Sequence, residues 1–440
     1  LNDKIEKIKN APNGFCLAKW YQVTIDLISG HTHSCHHPDK HKIPLEELNE
    51  SPMALHNTEY KMLQRKKMLE GIRPDECVYC WNIEDISKDL ISDRFIKSTD
   101  SWAFEKLDET LTLPWNTMVS PTYLEVVFSS DCNLNCSYCV ADLSSSIKRE
   151  MITFGPYPIK TKPRRDITLN DNLAEQKKYL DAFWKFLPMV SSELRVFRIT
   201  GGEPLLSKDT FKVLEFFENN PNPNLELAIN SNLSYSKELC EKLLSYLKVL
   251  LAKKCIKKCT LFVSIDTSGE QAEYTRKGLS EKKFMDNVNT ISNSLPDLEI
   301  VIMCTYNIFS IFQFSKLLRW IEQKKEENCN VTLDVSYLLR PEYLRANIID
   351  HGNLHYVHDS LKIMKESSYF TNYEVGKFER VVKWIESTNS SDERNIYRSD
   401  FYSFVNEYDR RFEMNFLDIF PEASGFYQIC KKTSIIENLK

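Results

Sequence analysis

Residues 123–139 read YLEVVFSSDCNLNCSYC. The opening stretch, Tyr123–Phe128, is aromatic and β-branched and has the length of a buried strand. A polar break follows at Ser129–Asp131. Then come Cys132, Cys136 and Cys139, with three residues and then two between them. A short loop with that spacing can wrap one corner of an iron–sulfur cubane and offer three thiolates. One of the four irons is then left open to a chelating ligand. A structural zinc site is the competing reading, but it requires four ligands, and no fourth Cys or His lies close in the sequence.

Outward from this loop, strand and helix patterns alternate. Further strands are expected at Leu194–Thr200, Leu225–Asn230, Thr260–Asp266, Glu299–Thr305 and Val331–Leu338. Amphipathic helical stretches fall near 172–187, 207–219, 236–250, 280–294 and 312–325. Such alternation argues for parallel βα units and an α/β class. A partly closed barrel and a doubly wound sheet both fit. In either, ligands gather at the carboxyl ends of the strands. The cysteine loop follows the first strand of this series. GGEP, Gly201–Pro204, follows the second, and paired glycines let a ligand approach the backbone closely.

In these motifs the sequence resembles the radical S-adenosylmethionine (radical SAM) superfamily, over residues 120–340 or so. The resemblance implies a partial (βα)6, TIM-like barrel core. It implies a 4Fe–4S cluster on Cys132, Cys136 and Cys139, whose open iron takes the amino and carboxylate groups of S-adenosylmethionine. Gly201, Gly202 and Glu203 look like the contact to the methionine amino group, and Tyr138 like the aromatic residue beside the adenine. VSIDTS, 263–268, and EYTRKG, 273–278, also look like the family. On that basis Ser264 and Arg276 are expected at the SAM carboxylate or ribose, Asp266 facing SAM or substrate, and Asn307 at a SAM contact after the fifth strand. The implied activity is reductive cleavage of SAM to a 5′-deoxyadenosyl radical, which abstracts a substrate hydrogen atom. A reductase such as flavodoxin or ferredoxin is the implied partner.

Residues 1–95 hold a second set of cysteines. Tyr21–Ile28 reads as a strand that breaks at Ser29-Gly30 as a hairpin would, and Asn57–Glu70 as a helix ended by Gly71. The hairpin would bring Cys16 and Cys35 together, and the helix would return the chain to set Cys77 and Cys80 beside them. Spacing alone leaves zinc and an iron–sulfur cluster both open. The arrangement resembles the twitch (half-SPASM) domain, which implies a second, auxiliary 4Fe–4S cluster relaying electrons. That family usually places this domain after the barrel, whereas here it precedes it. His31, His33, His36, His37 and His41 crowd Cys35 and read as exposed histidines rather than ligands. Cys255 and Cys259 read as neighbours on a helix. Cys240, Cys304, Cys329 and Cys430 read as packed.

The chain has 440 residues, 42% apolar and 27% charged, with a net charge of −5. A chain of that length is expected to form two or three domains; with the resemblance these are 1–95 as a small α+β cluster-binding domain, 96–345 as the core, and 346–440 as a helical, aromatic region. Ser144–Asn170 is a polar insert and, with the C-terminal helices, a candidate lid. The charge and the lack of a recognition motif argue against nucleic acid. No apolar run reaches the ~18–20 residues that span a bilayer, and the charged N-terminus lacks a signal-peptide stretch. A cytoplasmic protein is expected, trimmed of its initiator Met. Thirteen cysteines in a reducing compartment point to metal use rather than disulfides. The substrate is not legible; a small molecule is favoured over a peptide. The alternative function is a zinc-binding interaction or scaffold protein with a βα core.

Overall fold

The computed structural model describes residues 2–87, 90–161, 172–387 and 391–439, without the side chains of 391 and 438. Eleven strands are present among them: β1 (Gln22–Asp26), β2 (His31–His33), β3 (His41–Lys42), β4 (Tyr123–Val127), β5 (Asn135–Cys136), β6 (Val196–Thr200), β7 (Asn222–Ser231), β8 (Ile256–Ser264), β9 (Arg276–Lys277), β10 (Glu299–Tyr306) and β11 (Val331–Tyr337). All six strands expected of the alternating series are found, each with ends within four residues of the expected ones. The chain divides into two compact units. The first comprises Leu1–Ser129, Asn170–Ile229 and Val249–Cys259; the second comprises Ser130–Leu169, Asn230–Lys248 and Thr260–Lys440. The second half of the expected insert, 162–170, lies outside the described residues.

In the first unit β7, β6, β4 and β1 run parallel, and β2 and β3 continue antiparallel from β1. The register explains the stability of this order. Val23, Leu124, Phe197 and Leu227 stand side by side, as do Ile25, Val126, Ile199 and Ile229, and all eight are buried. Each such side chain contributes about 1.5–3 kcal/mol by leaving water. The alternate residues point to the other face, where Thr24, Glu125 and Arg198 form one in-register polar row. Helix Lys208–Asn219 is capped by Ser207, whose side chain accepts from Asp209 N, and buries Phe211, Leu214 and Phe217. Phe217 packs edge-on against Phe197 of β6 at 5.7 Å. β1 does turn back into β2, as the hairpin reading expects, and it also pairs with β4 along its other edge. Gly30 makes this possible: its φ is +64°, and a Cβ there would lie 2.1 Å from the Tyr179 ring.

In the second unit β8, β10 and β11 are parallel. Val263, Ile302 and Leu333 form an in-register apolar row. Helix Asn372–Glu386 starts with a capping box between Thr371 and Glu374. The same Glu374 carboxylate accepts Leu333 N at 2.8 Å, so one side chain both caps the helix and ties it to β11. The C-terminal stretch is helical, as expected, and no residue from 346 onward among those described is in a strand. Its aromatic residues explain why it packs. Tyr274, Phe309, Phe401, Phe416 and Phe420 meet at centroid distances of 4.8–6.0 Å.

Cys255 and Cys259 do not share a helix. Helix Lys237–Ala252 stops before them, and Cys259 lies in β8. Lys254 takes φ +53°, which turns the chain out of the helix. No helix among the described residues is long and apolar enough to cross a membrane.

Candidate functional site

The cysteine loop belongs to the second unit and is held at both ends. Before it, Ser130 O accepts from Ser145 N at 2.8 Å. Ser146 Oγ donates to Cys132 O at 2.6 Å, and the Ser145 hydroxyl receives Cys132 N at 3.3 Å. In the middle, Leu134 is buried, and Asn133 donates to Ser234 O and accepts from Asn232, at 2.7 and 2.8 Å. At its far end β5 pairs antiparallel with β9, which puts Cys136 opposite Arg276. Gly278 permits this approach. Its φ is +97°, and a Cβ there would sit 2.8 Å from Asn133 O.

Arg276 links the loop to a buried carboxylate. Its Nη1 donates to Cys136 Sγ at 3.6 Å, while Nε and Nη2 donate to the two oxygens of Asp266 at 2.9 and 3.0 Å. Asp266, fully buried, also accepts Tyr138 Oη at 2.7 Å and Thr305 N at 2.9 Å. The guanidinium lies 5.5 Å from the Tyr138 ring centroid. Burial pushes the Cys136 thiol up to about 12; Arg276 works against that, while Cys139 and Cys132 add to it. Burial likewise raises Tyr138 well above its ordinary value. The structure thus brings Tyr138, Cys136, Arg276 and Asp266 into one hydrogen-bonded group, with Cys132 and Cys139 within electrostatic reach. Ser264 is half-buried at the end of β8. The Asn307 side chain is committed to its own turn, donating to Thr305 O and accepting Phe309 N.

Gly201, Gly202 and Glu203 lie in the first unit. Gly202 N donates to Ser129 O at 3.1 Å. Gly201 has φ +136°, and a Cβ would meet Ser129 O at 2.7 Å. Glu203 is buried and accepts Leu205 N at 3.1 Å, capping the turn Pro204–Leu206.

The second set of cysteines is also in the first unit. Burial pushes Cys77 and Cys80 up to about 12, and each feels Cys16 and Cys35. Cys35 is raised by burial and then by Cys16. Lys19 is buried among them and paired with Glu76. Burial opposes its charge, but Cys77 and Glu76 outweigh it and hold it at about 12. Thiols kept protonated by burial, beside a fixed cation, suit a metal group whose own charge draws off the protons. No group of three or more His, Cys, Asp or Glu side chains among the described residues is arranged to hold a metal ion. A cubane makes a different demand, since each thiolate takes its own iron. Of the histidines around Cys35, His36 is exposed and the others are half-buried. They have other partners: His37 Nε2 meets Asp93 at 2.6 Å, His41 meets Thr58 at 2.8 Å, and His33 Nδ1 meets Cys35 O.

No family model matches the chain. It is 30% identical over 125 residues to GTP 3′,8-cyclase of Nautilia profundicola, a stretch covering 28% of this chain and 30% of that relative. Among solved structures, native anSMEcpe with bound AdoMet is 17% identical, with a TM-score of 0.31 over 66% of this chain and 61% of the other. TYW1 with a lysine-pyruvate adduct bound is 16% identical, with a TM-score of 0.28 over 57% and 73%. Likeness this slight bears on nothing further.

Several residues around the cysteine loop have no motif to announce them. Tyr408, on helix Ser391–Phe412, donates to Asn135 O and Tyr274 O at 3.3 and 3.0 Å and so braces the loop. Arg411, one turn on, pairs with Glu150 at 3.0 Å and donates to Gly155 O and Pro156 O at 2.9 and 3.2 Å. It thereby fixes the stretch after the cysteines to that helix. Lys160 N and Thr161 N donate to Asp400 on the same helix.

Proposed function

We propose that this chain reductively cleaves S-adenosylmethionine and uses the resulting 5′-deoxyadenosyl radical to abstract a hydrogen atom from a substrate. The observation that carries the reading is the Cys136–Arg276 pairing, with Arg276 neutralised by buried Asp266. A 4Fe–4S cluster on Cys132, Cys136 and Cys139 supplies the electron for that cleavage when bound. The chain's own part is to hold and orient. Arg276 donates to one ligand thiolate, Asp266 fixes Arg276, and Tyr138 is locked in place by its bond to Asp266. Gly201, Gly202 and Glu203 are assigned to the methionine amino group, and Ser264 to the remainder of SAM; Asn307, whose side chain is spent on its own turn, is left out.

Cys16, Cys35, Cys77 and Cys80 are assigned to an auxiliary 4Fe–4S cluster that relays electrons, with Lys19 offsetting the thiolate charge. In this reading the parallel strands form a partial barrel over 96–345, preceded by the cluster-binding region 1–95 and followed by the helical region 346–440. A flavodoxin- or ferredoxin-type reductase in the cytoplasm delivers the electrons. Anaerobic purification followed by metal and sulfide analysis tests the proposal. It expects about eight iron and about eight sulfide per chain. Zinc in their place would leave a zinc-binding scaffold instead.

A further inference from the structure

Within the second unit, helix Ser391–Phe412 grips the ribbon of β5 and β9 through one side chain. Tyr408 is 1% exposed. Its ring is wedged among those of Phe404, Tyr274 and Phe412, at centroid distances of 5.3, 5.2 and 4.8 Å. Its single hydroxyl hydrogen is shared between Asn135 O at 3.3 Å and Tyr274 O at 3.0 Å. Neither carbonyl is an arbitrary neighbour. Asn135 O belongs to the peptide group that leads into Cys136 on β5. Tyr274 O lies at the end of the helical turn that runs into β9 and Arg276. One hydroxyl, 273 residues along the chain from Asn135, therefore spans both strands of the ribbon.

The grip is double. Asp409, the next residue, accepts Tyr274 Oη at 2.9 Å, and its other oxygen accepts Phe416 N at 2.8 Å. Two consecutive residues of one helix thus hold Tyr274 by its carbonyl and by its hydroxyl. The ribbon needs such help. It pairs only Asn135 with Lys277 and Cys136 with Arg276, and beyond them Ser137 N donates to Thr275 O at 2.9 Å. A two-stranded pairing that short is marginal by itself in water. Asp266 fixes the Arg276 half of the pair, and Tyr408 fixes the Cys136 half.

We propose that Tyr408 is a positioning residue for Cys136: by tying the Asn135–Cys136 peptide group to Tyr274 it holds the thiol against the Arg276 guanidinium, which makes the C-terminal helix part of the cysteine site rather than a cover over it. Only the redox consequence of this placement rests on the SAM-cleavage reading above.

Tyr408→Phe removes the hydroxyl and keeps the ring. In the reduced, metal-free full chain, iodoacetamide alkylation read by peptide mass spectrometry compares Cys136 with Cys132, whose backbone is held separately by Ser145 and Ser146. Loss of one ordinary hydrogen bond is expected to raise the Cys136-to-Cys132 rate ratio by about threefold to tenfold. Phe426→Leu is the control. Phe426 packs on Phe401 of the same helix at 5.2 Å, so this variant loosens the helix away from the ribbon and is expected to leave the ratio unchanged. Hydrogen bonds to ligand sulfurs help set the reduction potential of an iron–sulfur cluster. In the iron-loaded chain, a redox titration followed by electron paramagnetic resonance, on the signal that responds to SAM, is expected to give a lower potential in Tyr408→Phe and an unchanged one in Phe426→Leu. Should Tyr408→Phe fail to fold, Tyr274→Phe, which releases the other grip, is read by the same ratio. A ratio below the expected range, an equal rise in Phe426→Leu, or an unmoved potential overturns the inference. Because alkylation needs no cluster, the two failures separate. A chain that takes up no iron, yet exposes Cys136 selectively in Tyr408→Phe, defeats the SAM-cleavage reading; one that cleaves SAM with the ratio unmoved defeats only this inference.

Discussion

Replacing Asp266 by Asn removes the charge at the centre of the buried group and leaves the shape almost unchanged. In the unmodified protein four donors converge on that carboxylate: Arg276 Nε and Nη2, Tyr138 Oη and Thr305 N, at 2.7–3.0 Å. Asn can serve only some of them, and its own N–H₂ must face a donor. Arg276, 7% exposed, is then a buried cation without its counter-charge. Breaking one side of such a pair costs about 3–5 kcal/mol. Removing both partners is milder, so Asp266→Asn with Arg276→Gln should lose less than the two singles together, by ~2 kcal/mol or more. Urea unfolding of the reduced, metal-free chain and its three variants reads both numbers. A loss under ~1 kcal/mol for Asp266→Asn, or strict additivity in the double variant, would refute the assignment of this pair as the anchor of the cysteine loop.

Three further outcomes are expected. Gly201→Ala should cost about 1–3 kcal/mol, because φ is +136° and the new Cβ falls 2.7 Å from Ser129 O; the same urea series measures it. Cys77→Ala should lower the iron content while leaving some SAM cleavage uncoupled from substrate, and unchanged iron would contradict the auxiliary assignment. The last concerns pH. Burial pushes Asp26 upward, but Lys40 at 2.6 Å and the Ser29 bonds outweigh it, so the carboxyl sits below its ordinary 3.8. A lowered folded-state pKa means stability that is present above the unfolded value and lost as pH falls through the folded one. The stability gap between the unmodified chain and Lys40→Met should therefore hold steady above pH ~4.5 and close below ~3.8; a gap that persists at lower pH would contradict it.

The parallel strands were legible because each carries an apolar row that must be buried on one face, and such rows survive in the sequence as short β-branched runs. The cysteine loop was legible for the opposite reason: its residue types are costly to leave exposed, and their spacing is short. What the sequence could not reveal is which distant groups meet. Arg276 was expected at the cofactor, yet the structure gives its fork to Asp266, ten residues earlier. Glu150 and Arg411 are separated by 261 residues, and nothing local to either predicts a partner. The β1 strand looked like half of a hairpin, and its second edge against β4 depends on a long-range register that the hairpin alone does not set. The misread pair Cys255 and Cys259 shows the limit of periodicity: an i,i+4 spacing suits a helix until one residue, Lys254, turns left-handed.

The most direct measurement is 5′-deoxyadenosine formed from SAM by the anaerobically purified, chemically reduced chain, set beside Cys136→Ala. Steady production by the unmodified chain and none by the variant, with the variant still folded, is what the thiolate loop requires. Equal production by both, or none from an iron-loaded unmodified chain, would contradict it.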